Sequence, residues 1–151
     1  MINKKTLLIL GAGASAPVGY PSGRALLMKV ANELSNEAFA LFRELRDVGY
    51  RQAEMEKIRI ALAGSMQPSV DAFLEKRPDF LDIGKAAIAA ALIPMEQRTL
   101  FERGEQATWY EYLFNRLGDQ SDRFHENQLS IVTFNYDRSL EYFLYSAIVH
   151  S

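Results

Sequence analysis

The chain has no cysteine, which excludes disulfides and any thiolate zinc site from its chemistry. Histidine is scarce, with His125 and His150 the only two. His125 sits in a polar stretch with no partner at metal-ligand spacing, and it reads as an exposed loop residue rather than a ligand. Long apolar runs are also missing. The longest candidate, Phe80 to Ile93, is interrupted by Asp82, Gly84 and Lys85, and the opening Met1-Ile2-Asn3-Lys4-Lys5 leads only into a short apolar run, so neither a membrane span nor a signal peptide is expected. A formal net charge of −2 and a pI near 5.7 provide no basic field, which makes nucleic acid an unexpected partner. There is no internal repeat and no low-complexity tract. A cytoplasmic protein is the default expectation.

The remaining composition, 48% hydrophobic and 24% charged over 151 residues, is that of an ordinary globular chain of about one domain. The chain is organised around Thr6 to Arg24. Thr6-Leu7-Leu8-Ile9-Leu10 is an uninterrupted apolar run, the pattern of a strand covered on both faces in a parallel sheet. Gly11 and Gly13 follow at once, in the pattern GxGxxA with Ala16. Glycines here can take positive φ and let the backbone approach a ligand closely, so that successive N–H groups face a diphosphate. Ser15 adds a hydroxyl at the same mouth. A tight turn with no ligand explains a lone GxG about equally well.

Two longer motifs decide between these readings. The segment GAGASAPVGYPSGR, from Gly11 to Arg24, resembles the opening motif of the sirtuin (Sir2) family, G-A-G-x-S followed by G-I-P-x-x-R, with Tyr20 in the isoleucine position. Far downstream, Thr133-Phe134-Asn135-Tyr136-Asp137 is similar to the family's T-Q-N-I-D and again follows an apolar strand, Leu129 to Val132. The resemblance implies a Rossmann-like α/β sheet that binds NAD. Matching positions are Gly11, Ala12, Gly13, Ser15, Gly19, Tyr20, Pro21, Arg24, Thr133, Asn135 and Asp137, with Asn135 and Asp137 as the catalytic pair. Phe134 and Tyr136 depart in type from the family residues. The segment SVDAFLEKRPDFLDIGK, which includes Asp71, resembles the bacterial SIR2-like branch.

Between the two motifs the sequence is helical. Ser22 is the expected N-cap of a helix to Leu34, with Leu26, Leu27, Val30, Ala31 and Leu34 on its apolar face and Met28 also read as core. Ser35 or Asn36 should cap a second helix with a Phe39, Phe42 and Leu45 stripe, ending near Gly49. A third runs from Gln52 to Leu62 on Met55, Ile58 and Leu62, and a fourth from Ser69 is interrupted by Pro78. The alanine-rich run from Phe80 is expected to stop at Pro94. Thr108-Trp109-Tyr110-Glu111 is a capping box, and Trp109 reads as core or interface rather than a base-stacking residue. The last helix, Arg138 to Val149, should turn Leu140, Phe143, Leu144, Ala147 and Ile148 inward. The expected whole is one SIR2-like domain over 1–151 with a helical insertion at about 35–127. Two strands make an incomplete sheet, so the chain is expected to be the N-terminal part of a longer protein or to find its sheet partner in another chain.

The resemblance implies cleavage of the nicotinamide–ribose bond. Asn135 would position ribose hydroxyls and a water, Asp137 would accept from the nicotinamide carboxamide, and Arg24 would counter the diphosphate or steady a lid at 16–23. The simpler alternative is that Asn135 and Asp137 form an Asx turn and cap the last helix. Sirtuin deacylases hold a four-cysteine zinc ribbon, and this chain has no residues for one, so no zinc is expected. The family's catalytic histidine lies in an H-G beyond the next strand, and His150 is not followed by glycine. Three function classes follow: an NAD+ hydrolase of bacterial antiphage defence, a sensor of NAD or ADP-ribose or a scaffold without turnover, and a protein-lysine deacylase.

Overall fold

The computed structural model describes residues 1–99, 108–118 and 121–150. It is mostly helical with one small parallel sheet, and it divides into two compact units, residues 1–20 with 96–151 and residues 21–95. The separate helical unit begins at residue 21, and the capping-box helix belongs with the strands.

In the first unit, β1 (Thr6–Leu10) pairs in parallel with β2 (Leu129–Thr133), Thr6 opposite Leu129 and Leu10 opposite Thr133. The ladder runs beyond the strands: Gln128 N–H donates to the Ile2 carbonyl at 2.9 Å and Phe134 N–H to the Leu10 carbonyl at 3.0 Å. One sheet face carries Leu8, Leu10, Leu129 and Ile131, which pack against α6 (Trp109–Leu117) and α7 (Ser139–Val149) through Tyr110, Leu113, Leu140 and Phe143. The other face is open. Leu7 is 57% exposed, Ile9 66% and Val132 44%, so the expectation of a strand covered on both faces holds for one face only. An apolar run cannot say how many of its faces find a partner.

The capping box forms as expected, with the Glu111 carboxylate accepting the Thr108 N–H at 2.8 Å, and Gly118 ends α6 at φ 107°. Asn127 is an unforeseen tie: its Oδ1 accepts the Ile2 N–H at 2.7 Å, and its Nδ2 donates to the Leu117 and Phe124 carbonyls at 2.9 and 3.1 Å. In α7, Leu140 is buried and Phe143 and Leu144 pack against the same core, as expected, whereas Ile148 is exposed.

The second unit holds α1 (Gly23–Glu33), α2 (Ala40–Val48), α3 (Gln52–Gly64), α4 (Val70–Lys76) and the start of α5 (Leu81–Thr99). Ser22 caps α1 by accepting the Ala25 N–H at 3.3 Å, and Ser69 caps α4 through Ala72 at 3.2 Å. Its core centres on Val30, Leu34, Leu45, Met55, Ile58 and Leu62, all fully buried. Met28 is exposed instead of core, because it lies between the buried positions 27 and 30 on the helix's outer side. Phe39 serves as the N-cap position of α2, and Leu41 joins Phe42 and Leu45 in the buried stripe. Pro94 does not stop α5, which continues to Thr99; the missing N–H leaves one intrahelical bond unmade without ending the helix. Gly84 permits close packing, since a Cβ there would lie 2.4 Å from Leu74 Cδ2. Asp71 is exposed in the first turn of α4, where a negative charge suits the helix dipole. Among the described residues, no helix is long and apolar enough to cross a membrane.

Candidate functional site

β1 delivers the chain directly into a short helical turn, Ala12–Val18, which Gly19 closes in the left-handed region at φ 94°. Gly19 is the motif glycine that needs its missing Cβ for backbone reasons. Gly11, at φ −122°, and Gly13 lie outside the positive-φ region, which corrects that part of the sequence reading. A Cβ on either would meet nothing within 4 Å, so the surface over this turn is open. The turn is held by Ala14 N–H on the Gly11 carbonyl at 2.8 Å and by Tyr20 N–H on the Ser15 carbonyl at 3.2 Å. Ser15 and Tyr20 are both buried.

In the second loop, after β2, exposure alternates along the chain. Phe134 is 77% exposed and Tyr136 is exposed, whereas Asn135 is half-buried and Asp137 is buried. The two loops meet where Asn135 Nδ2 donates to Ser15 Oγ at 2.9 Å, across 120 positions of sequence. The other pole of the same carboxamide, Asn135 Oδ1, is buried with no hydrogen-bond partner among the described residues. A buried acceptor left unpaired costs about 1–3 kcal/mol, which a donor entering the cleft would offset.

Asp137 forms the Asx turn weighed for it. Its Oδ1 accepts the Ser139 N–H at 3.1 Å, the Asx turn that starts α7, and also the Ser139 hydroxyl. Ser139 Oγ in turn lies 2.7 Å from the Tyr110 hydroxyl. Burial pushes the Tyr110 phenol above its ordinary pKa, against the opposing pull of its hydrogen bonds to Ser139 and Ser15. Thr133 Oγ1 accepts the Asn135 N–H at 3.1 Å and so fixes the start of the loop.

Ser15, Thr133, Asn135 and Asp137 line one cleft of about 150 Å³, walled by Leu10, Ile131, Leu140 and Leu144, with Tyr110 and Glu141 at its side. That volume lies below the roughly 300–1,000 Å³ of sites that enclose drug-sized ligands, so the cleft accommodates a sugar or a single ring rather than a whole dinucleotide. Gly11, Ala12, Gly13, Gly19 and Tyr20 belong to the turn that carries Ser15, while Pro21 and Arg24 open the helical unit. No group of three or more metal-ligating side chains occurs among the described residues. His150 ends α7 with Nδ1 2.7 Å from the Ser146 carbonyl.

A larger groove of about 720 Å³ lies in the helical unit, lined in part by Tyr50, Glu54, Lys57, Arg77, Asp79 and Phe80. Its strongest cation, Arg77, is paired with Asp79 at 2.6 Å and lies over the Phe80 ring, and Glu54 is held by Arg51. Tyr110, which lines the smaller cleft, carried no signal in the two motifs and was legible only as part of a capping box, and Ser139, its buried partner behind Asp137, carried none.

No protein-family model, no curated protein and no solved structure matches this chain.

Proposed function

We propose that this chain is the NAD-binding part of a SIR2-like protein with a Rossmann-like sheet, acting as an NAD+ hydrolase in bacterial antiphage defence. The observation that carries the reading is the meeting of the two motif loops through Asn135 and Ser15, with Asn135 Oδ1 left as an unpaired buried acceptor in their shared cleft. A ribose hydroxyl is a donor of the right size for that acceptor, and the small cleft suits the sugar and ring end of NAD, while the open turn at Gly11 to Gly13 suits the diphosphate.

Breaking the nicotinamide–ribose bond builds positive charge on the sugar. Asp137 supplies a nearby carboxylate to meet that charge or to accept from the leaving carboxamide, and Asn135 orients the sugar hydroxyls and an attacking water. The apolar walls at Leu10, Ile131, Leu140 and Leu144 exclude bulk water and strengthen both effects. A further domain or a second copy is the expected partner, and no zinc enters the scheme.

Nicotinamide release from NAD by the full natural polypeptide tests this. Asn135→Ala should abolish release with little change in melting temperature; release retained in that variant refutes the assignment. One observation favours the non-catalytic alternative, a sensor of NAD or ADP-ribose: the residues lining the cleft include no histidine to act as general base. Saturable thermal stabilisation by NAD without turnover would select that alternative. A deacylase would require acetyl-peptide to accelerate nicotinamide release, and no acceleration is expected.

A further inference from the structure

Two adjacent residues in the first turn of α6 tie into the motif loops. Trp109 donates its indole N–H to the Ala14 carbonyl at 2.7 Å, across 95 positions, and so holds the glycine turn by its backbone. Tyr110 places its hydroxyl 2.7 Å from Ser139 Oγ. Ser139 has one hydroxyl proton and directs it to Asp137 Oδ1, so its oxygen accepts and Tyr110 is the donor. The order is Tyr110 O–H to Ser139, then Ser139 O–H to Asp137. Both hydrogen bonds to Asp137 converge on Oδ1, which keeps Oδ2 out of the relay. The two rings also brace each other, edge to face with centroids 4.6 Å apart, and Tyr110 leans on Phe143 at 5.6 Å.

We infer that Trp109 and Tyr110 are positioning residues that clamp the two loops from one rigid helix turn, Trp109 setting the backbone of the phosphate-facing turn and Tyr110 setting the Asp137 carboxylate through Ser139. This rests on the hydrolase reading and assigns it two residues outside both motifs. The division of labour follows from which loop each one holds. Trp109 governs how well the dinucleotide binds. Tyr110 governs the bond-breaking step, because its hydroxyl sets the Asp137 carboxylate through Ser139. The capping box at Thr108 and Glu111 fixes where that helix turn begins, and so fixes the reach of both side chains.

The experiment compares Trp109→Phe and Tyr110→Phe, each keeping a ring and losing one polar hydrogen, with Asn135→Ala in the full natural polypeptide. Trp109→Phe should raise KM about five- to tenfold, the scale of one hydrogen bond, with kcat within twofold. Tyr110→Phe should lower kcat by about 10²-fold, the scale of a misplaced reacting group, with KM within twofold. Two variants that both match the parent while Asn135→Ala is dead overturn the clamp and leave the hydrolase reading standing. Equal losses of both parameters in both variants also overturn it, because they signal general destabilisation. If the parent neither releases nicotinamide nor is stabilised by NAD, the hydrolase reading has failed. The clamp geometry is then judged on the parent alone, through the indole N–H of Trp109: slow hydrogen exchange supports it, and exchange at the free-indole rate overturns it.

Discussion

At the scale of single residues, Tyr110 shows how a side chain can carry fold and site together. Its phenol is buried and its pKa lies above the ordinary 10.0, with burial the largest cause. Above about pH 10 the folded state therefore binds the phenolic proton more tightly than the unfolded chain does. Stability from the neutral buried phenol is complete below that pH and is lost as the pH rises through the folded value. Melting temperatures of the parent should fall more steeply above pH 10 than those of Tyr110→Phe; parallel curves would show that the phenol is not coupled to folding. Asn135, Asp137 and Ser15 were legible in the sequence because each sits in a motif at a strand end, where the structure places them in one cleft. Tyr110 was not legible in this way. Its partner Ser139 is 29 positions distant, and only the packing of α6 on the sheet brings them together.

At the scale of elements, local rules identified starts better than stops or faces. Ser22, Ser69 and the Thr108–Glu111 box begin helices where expected, because each satisfies orphan N–H groups with a neighbouring side chain. Pro94 misled, since a proline weakens a helix without forbidding it where the flanking residues are strong helix formers. Two glycines test the packing directly. At Gly64, the exposed last residue of α3, an added methyl meets nothing within 4 Å, so Gly64→Ala should stabilise by about 0.5–1 kcal/mol through helix propensity. At Gly84 the same propensity gain is opposed by overlap with three atoms of buried Leu74, at 2.4, 2.8 and 3.1 Å, an overpacking that costs about 1–3 kcal/mol. Gly84→Ala should therefore be neutral to destabilising by up to about 2 kcal/mol. The urea midpoint should rise for Gly64→Ala and stay level or fall for Gly84→Ala, and equal upward shifts would show that Leu74 yields freely.

At the scale of the whole molecule, the two units have separate cores and different kinds of connectivity. The unit over 21–95 is built from helices that succeed one another along the chain and pack locally. The unit holding the cleft is assembled from both ends of the sequence, because β1 finishes at Leu10 and its only strand partner among the described residues starts at Leu129. The α/β class and parallel pairing were legible from two apolar runs each followed by a motif. The open face of the sheet was not, since exposure depends on what else is present to cover it.

That parallel pairing also sets a timetable. During synthesis β1 leaves the ribosome well before β2, its strand partner among the described residues, and by the time the segment around Leu129 has emerged residues 21–95 can already have collapsed on their own helices. Refolding from denaturant should show the same sequence in time, with far-UV ellipticity recovering ahead of the fluorescence of Trp109, the lone tryptophan, which belongs to the later unit. Simultaneous recovery of both signals would mean that the loops and strands form as early as the helices. Sequential recovery would make the closing of the ladder the moment at which the cleft first exists.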